Sequence, residues 1–151
     1  MTSEFDREEI RLVPYSEGWA VEYAAEKAKL EAALAPYAHE LAHIGSTAVQ
    51  GLPSKGIVDI ALRLESLDAL PELIPLFEEI GYRYFGEFGL PGREYFTKGK
   101  PRQYNLHVVD GSTDHWERWI VFRDILRNDE KVREDYLCLK KELARKHRFE
   151  R

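Results

Sequence analysis

The side chains best suited to chemistry crowd into residues 43–64. There His43-Ile-Gly-Ser-Thr-Ala-Val-Gln-Gly-Leu-Pro-Ser-Lys-Gly runs straight into Ile57-Val-Asp-Ile-Ala-Leu-Arg-Leu. Gly45 and Gly51 carry no Cβ, so the backbone there admits a ligand at close range. Ser46 and Thr47 bring hydroxyls, the loop brings backbone N–H groups, and Lys55 brings a mobile positive charge. Such a set suits an anion, above all a phosphate. Asp59 then lies inside an otherwise apolar run, where an unpaired carboxylate is costly unless something binds it. An anion cradle followed by a carboxylate is the order expected of a site for a nucleotide and its metal ion.

Strands and helices must position these groups. Residues 57–64 alternate with period two. Val58, Ile60, Leu62 and Leu64 form an apolar face, and Ile57, Asp59, Ala61 and Arg63 form the other. A second alternating run, 103–109, places Tyr104, Leu106 and Val108 on one side and Asn105 and His107 on the other. If the two strands are neighbours with their core faces aligned, Asp59, Arg63, Asn105 and His107 share one open surface. Shorter strands are expected at 41–44, 82–85 and 93–98, the last two separated by a glycine-rich connection. Helices are expected from Ser16 to about Pro36, over 67–80 with Gly81 closing the end, from a Ser112 cap to Arg127, and onward from Asn128-Asp129. Tyr15 stands where it can staple the first helix. In the last, Val132, Tyr136, Leu139 and Leu143 recur at helical spacing, and its Lys/Glu run reads as a solvated face. The charged residues 1–14 read as an arm over the body of one domain spanning 1–151. This order of elements predicts an α+β fold: a mixed sheet with helices mainly on one face and an open cleft opposite.

The Gly-Ser-Thr-Ala-Val loop, the Gly-Leu pair, Lys55 and the Asp59 strand resemble the GrpB-like family of the nucleotidyltransferase superfamily. The similarity continues through Leu106-His107-Val108, Phe122-Arg123-Asp124 with Leu126-Arg127, and Tyr136 with Leu139-Lys140, so it covers nearly the whole chain. It implies a nucleotidyltransferase fold that grips phosphates with the Gly-Ser turn and binds magnesium through carboxylates on the next strand. It further implies a second carboxylate two residues after the first, but that position here is Ala61. Relatives are expected to continue beyond Arg151, where this chain stops.

These readings combine into one expectation. Gly45, Ser46, Thr47, Lys55 and Arg63 hold the phosphates of a nucleotide or another phosphorylated small molecule, and Asp59 holds Mg2+ or Mn2+. Glu94 and His107 are candidates for the missing metal ligand, and His107 is alternatively a general base, since its ring titrates near neutrality. The predicted activity is nucleotidyl transfer from a nucleoside triphosphate to an unidentified acceptor. The alternative is a binding module of the same fold that performs no chemistry. His39-Glu-Leu-Ala-His43 also matches the zinc-peptidase pattern, but that chemistry requires both histidines on one helical face. In an extended segment they stand roughly 13 Å apart. Arg123 and Asp124 read either as the border of the cleft or as a salt-bridge set, and Lys100 with Arg102 forms a small basic hairpin.

Bulk composition narrows the classes. Apolar residues make up 44% and charged residues 32%, the balance of a folded globular chain rather than a disordered one. A net charge of −5 disfavours duplex nucleic acid as a partner, since such binding depends on releasing counterions from phosphates. No apolar run approaches the length of a membrane span, and residues 1–9 are too charged for a secretory signal. The one cysteine, Cys138, cannot form an internal disulfide and is expected to be packed, which fits a reducing cytoplasm.

Overall fold

The computed structural model describes residues 11–146. Helix α1 (Gly18–Leu34) leads to strand β1 (His39–Ile44), and a 3-10 turn at Ser46–Ala48 opens the loop into β2 (Val58–Leu64). A second 3-10 turn, Leu67–Ala69, precedes α2 (Leu70–Glu79). Strands β3 (Tyr82–Tyr84), β4 (Glu94–Lys98) and β5 (Tyr104–Val109) follow, then α3 (His115–Asn128) and α4 (Glu130–Lys146). The sheet runs β1-β2-β5-β4-β3, with β2 and β5 parallel and every other pair antiparallel. This is the expected α+β mixed sheet.

The β2–β5 register decides which groups meet. Asp59 is level with Asn105 and Ala61 with His107, so the polar positions of both strands face the same way. Their apolar positions, Val58, Ile60, Leu62, Leu106 and Val108, join Phe96 beneath α1 and α2, against Leu30, Leu34, Leu73 and Phe77. Each buried aliphatic or aromatic side chain there contributes about 1.5–3 kcal/mol of transfer free energy. The opposite face is covered at one end. Trp116 of α3 packs on Ala42, Ile44, Ala61 and Val109, and the two alanines leave room for the indole.

Local chemistry sets the element ends. Ser16 Oγ accepts from the Gly18 N–H at 3.1 Å, and Tyr15 meets Trp19 edge-on. Gly81, at φ 104°, closes α2 as expected. Residues 67–80 are not one continuous helix, because Ser66 caps a 3-10 turn by accepting from Asp68 N and Pro71 stands in the first turn of α2. Ser112 does not cap α3. Its N–H and hydroxyl are taken by Asp110, and the helix starts three residues later. Asp129 Oδ1 accepts from Val132 N and so starts α4.

That last helix is turned differently from its apolar stripe. Tyr136 and Leu137 pack against Val49, Leu52 and Leu126, whereas Val132, Leu139 and Leu143 are exposed. Cys138 is exposed rather than packed, for the same reason. Of the expected arm, residues 1–10 lie outside the described residues, and Val13 exchanges two backbone hydrogen bonds with Ser54. Among the described residues, no helix is long and apolar enough to cross a membrane.

Among the described residues, the helix side of the sheet holds a buried charge. Glu26, only 2% exposed, accepts from Lys98 Nζ at 2.8 Å and from the Tyr82 hydroxyl at 3.0 Å. Replacing it by alanine leaves Lys98 uncompensated and the Tyr82 hydroxyl without its acceptor. Urea denaturation of Glu26→Ala is expected to show a loss of roughly 3 kcal/mol, against far less for the exposed Glu22→Ala.

Candidate active site

The loop begins where β1 ends beside β2, with Ile44 level with Asp59. Gly45 has φ 74° and ψ −171°, a conformation essentially closed to residues with a side chain. A Cβ built there would stand 2.7 Å from Asp59 Oδ2, so the missing side chain also makes space for the carboxylate. The next residues tighten into the 3-10 turn, with Ala48 N bonded to Gly45 O and Val49 N to Ser46 O, both at 3.1 Å.

Asp59 is held by one oxygen. Its Oδ1 accepts from Asn105 Nδ2 at 2.9 Å and from His107 Nε2 at 3.1 Å. Its Oδ2 accepts no hydrogen bond among the described residues, and the side chain is 27% exposed. Burial alone would raise its pKa. The hydrogen bonds from His107 and Asn105 and the charge of Lys55 outweigh it and hold the carboxyl below the usual carboxylate range. Asp59 is therefore ionised at neutral pH.

The two donors are themselves oriented. Asn105 Oδ1 takes the Tyr95 hydroxyl at 2.7 Å and Arg102 at 3.4 Å, which leaves its amide nitrogen to face Asp59. The Arg93 guanidinium approaches His107 Nδ1 at 3.2 Å. A guanidinium only donates, so Nδ1 is the acceptor and the ring proton sits on Nε2, aimed at Asp59. The side chain expected to ligate a metal or take a proton is thus occupied at both nitrogens. Trp119 lies over its ring with centroids 5.3 Å apart, and Arg93 stacks on Tyr95 at 4.7 Å.

The remaining sequence candidates separate cleanly. Ser46 and Lys55 lie with Asp59, since Lys55 acts electrostatically on its carboxylate and Ser46 follows the glycine against it. Thr47 is 2% exposed and its hydroxyl bonds His43 Nε2 at 2.8 Å, so it supports the turn from behind. Arg63 shares the open face but is drawn to the far end of β2. There it pairs with Glu40 and Glu117 and lies on Trp116. Glu94 is level with Val108 and bonds the Tyr84 hydroxyl, which puts it on the helix side of the sheet, away from Asp59. Ala61, fully buried under Trp116, offers no place for a second carboxylate. Among the described residues, no three His, Cys, Asp or Glu side chains converge as a metal set.

The peptidase pattern is overturned by the same strand geometry. His39 and His43 sit at opposite ends of extended β1, one bonded to Glu31 and the Tyr37 carbonyl, the other to Thr47. Arg123 resolves as a salt bridge to Asp124 that also donates to the His43 carbonyl. One residue that sequence reasoning assigned to solvent reaches the turn: Lys140 donates to Ser46 Oγ. The signal was its place four residues after Tyr136, on the side of α4 that packs.

Comparison with known proteins shows the family and the fold. The family model described as GrpB protein matches residues 9–151. UPF0157 protein YqkA of Bacillus subtilis is 31% identical over 144 residues, covering 95% of this chain. The chain spans 42% of that relative's length. The crystal structure of conserved protein GrpB from Enterococcus faecalis superposes with a TM-score of 0.85 and 34% identity, over 91% of this chain and 84% of that one. Cid1 in complex with the UTP analog UMPNPP matches at TM-score 0.60 and 12% identity, over 89% of this chain and 41% of that one. It shares the fold.

Two outcomes follow from the turn. Gly45→Ala forces a Cβ into the Asp59 carboxylate and a strained backbone, so chemical denaturation should record a loss of about 2 kcal/mol or more. His43, stacked on Tyr23, is pushed down to about 4 by burial, against the pull of Asp59 and with Arg127 and Arg123 adding to the fall. Since the unfolded imidazole protonates near 6.5, the unfolded state binds more protons below that pH, and stability falls as pH drops from about 6.5 to about 4. Melting temperatures of His43→Gln should show a shallower decline over that range.

Proposed function

The chain belongs to the GrpB family, and we propose that it binds a nucleoside triphosphate as its magnesium or manganese complex on the nucleotidyltransferase fold. One observation carries this reading. An ionised carboxylate with one oxygen clamped, and the other accepting no hydrogen bond among the described residues, lies against Gly45 at the start of a turn that bears Ser46, within the field of Lys55. The turn's N–H groups, Ser46 and Lys55 would hold the phosphates, which suit a basic, glycine-opened loop. Asp59 Oδ2 is a hard oxygen donor of the kind magnesium takes one or two of, with water and substrate phosphates completing its shell. The ion would neutralise phosphate charge there. Asn105, His107, Arg93, Arg102 and Tyr95 keep Asp59 in one orientation and charge state.

Nucleotidyl transfer to an acceptor is the second reading, favoured by the ionisation of Asp59 beside the turn. Burial of Ala61 under Trp116 favours binding without turnover. We read residues 1–151 as one functional domain, and its lone cysteine as suited to a reducing cytoplasm.

Titration calorimetry with ATP, GTP, CTP and UTP, each with magnesium or manganese, tests the proposal. At least one should bind the wild-type protein in a metal-dependent way, and Asp59→Asn should weaken that binding by about tenfold or more. Silence from all four, or an Asp59→Asn titration identical to wild type, would overturn it. Release of pyrophosphate in an acceptor screen separates transfer from binding alone.

A further inference from the structure

We infer that the cavity behind the Gly-Ser turn is a second ligand site, separate from Asp59, and that it takes a small organic dianion, a dicarboxylate or a phosphate monoester. This goes beyond the nucleotide reading and does not depend on it.

The cavity measures about 590 Å³ and lies between the segment entering α1, the back of the turn, and the junction of α3 with α4. Tyr15, His43, Thr47, Gln50, Arg127 and Arg133 line it, whereas Ser46, Lys55, Asp59 and Lys140 do not. Its volume is that of a site for a small organic molecule. Among the described residues, no Asp or Glu forms part of its wall. Burial holds His43 neutral at pH 7, so the charge of the wall is that of its two arginines.

Each guanidinium is held by backbone carbonyls. Arg127 Nε donates to the Ala48 carbonyl at 2.8 Å, and Arg133 Nη1 donates to the Leu126 carbonyl at 2.9 Å and the Arg127 carbonyl at 3.4 Å. Among the described residues neither pairs with a carboxylate, whereas Arg63, Arg118 and Arg123 all do. Burial, and then the like charge of Arg123, disfavour the Arg127 cation, and the attraction of Asp124 and Tyr15 does not make up the difference. A planar guanidinium with donors to spare matches the oxygens of a carboxylate or a phosphate, and an anion with two charges answers both arginines. The bonds that tie α3 to the turn and close its last carbonyls use one nitrogen of each arginine. A purely structural role accounts for those bonds, but not for setting both side chains on a cavity without an acid.

Succinate and glycerol 2-phosphate, each without metal or nucleotide and at constant ionic strength, are titrated into the wild-type protein by calorimetry. At least one should bind saturably with a single site, and the tighter of the two tells a dicarboxylate site from a phosphate monoester site. Arg127→Gln and Arg133→Gln should each weaken that binding by about tenfold or more. Ser46→Ala and Asp59→Asn should leave it within about twofold, because neither residue lines the cavity. The bound anion should also raise the melting temperature of wild type, and that rise should be lost in Arg133→Gln. Melting curves without anion confirm that the variants fold, and Arg133→Gln decides the matter if Arg127→Gln, which loses the tie to Ala48, does not fold. Silence from both probes, wild-type affinity in the arginine variants, or loss of binding in Ser46→Ala or Asp59→Asn overturns this inference. None of these results bears on whether a nucleoside triphosphate binds at Asp59, which the ATP titration decides by itself.

Discussion

The organisation of this protein depends on how a single carboxylate is divided. Asp59 gives one oxygen to Asn105 and His107 and leaves the other beside Gly45. A half-buried carboxylate would gain from protonation unless its charge were stabilised, and two donors with a nearby cation stabilise it. Those donors work only in one orientation each, and that orientation comes from further out. Tyr95 and Arg102 fix the Asn105 amide, and Arg93 fixes the His107 ring. The charge on Asp59 is therefore a property of three adjacent strands, β2, β5 and β4, and not of one residue.

The sheet makes this possible by keeping its two faces separate. The face under α1 and α2 is largely apolar, and it carries the ion pair of buried Glu26 with Lys98. The other face keeps the polar positions of β2, β4 and β5 in line, and α3 covers only one end of it. Trp116 settles on Ala42 and Ala61, and Arg63 is drawn over the indole toward Glu40 and Glu117. The position where a second carboxylate would complete a metal pair is thus used for packing.

The Gly-Ser turn is supported from both sides. His43, neutral and stacked on Tyr23, takes up the Thr47 hydroxyl behind it, and Lys140 meets Ser46 in front. Neighbouring residues of one 3-10 turn therefore face opposite ways: Thr47 toward the helix layer and Ser46 toward the cleft. Both hydroxyls are buried, and each is taken by a side chain from outside the turn.

What the sequence determined by itself was whatever depends on neighbours along the chain. The alternation in 57–64 and 103–109 separated core from cleft residues, and it put Asp59, Asn105 and His107 on one surface on the condition that the two strands pair with core faces aligned, which the register meets. The extended nature of β1 already argued against the His39/His43 zinc site, and Gly45 marked the turn. Only the tertiary structure decided the rest. Strand order and register put Glu94 on the wrong face and Arg93 against His107, and the placement of α3 buried Ala61 and diverted Arg63. The rotation of α4 brought Lys140 inward while Leu139 and Cys138 stayed outside. Periodicity fixes which residues share a face of an element, but which face meets which neighbour follows from long-range packing that local sequence does not encode.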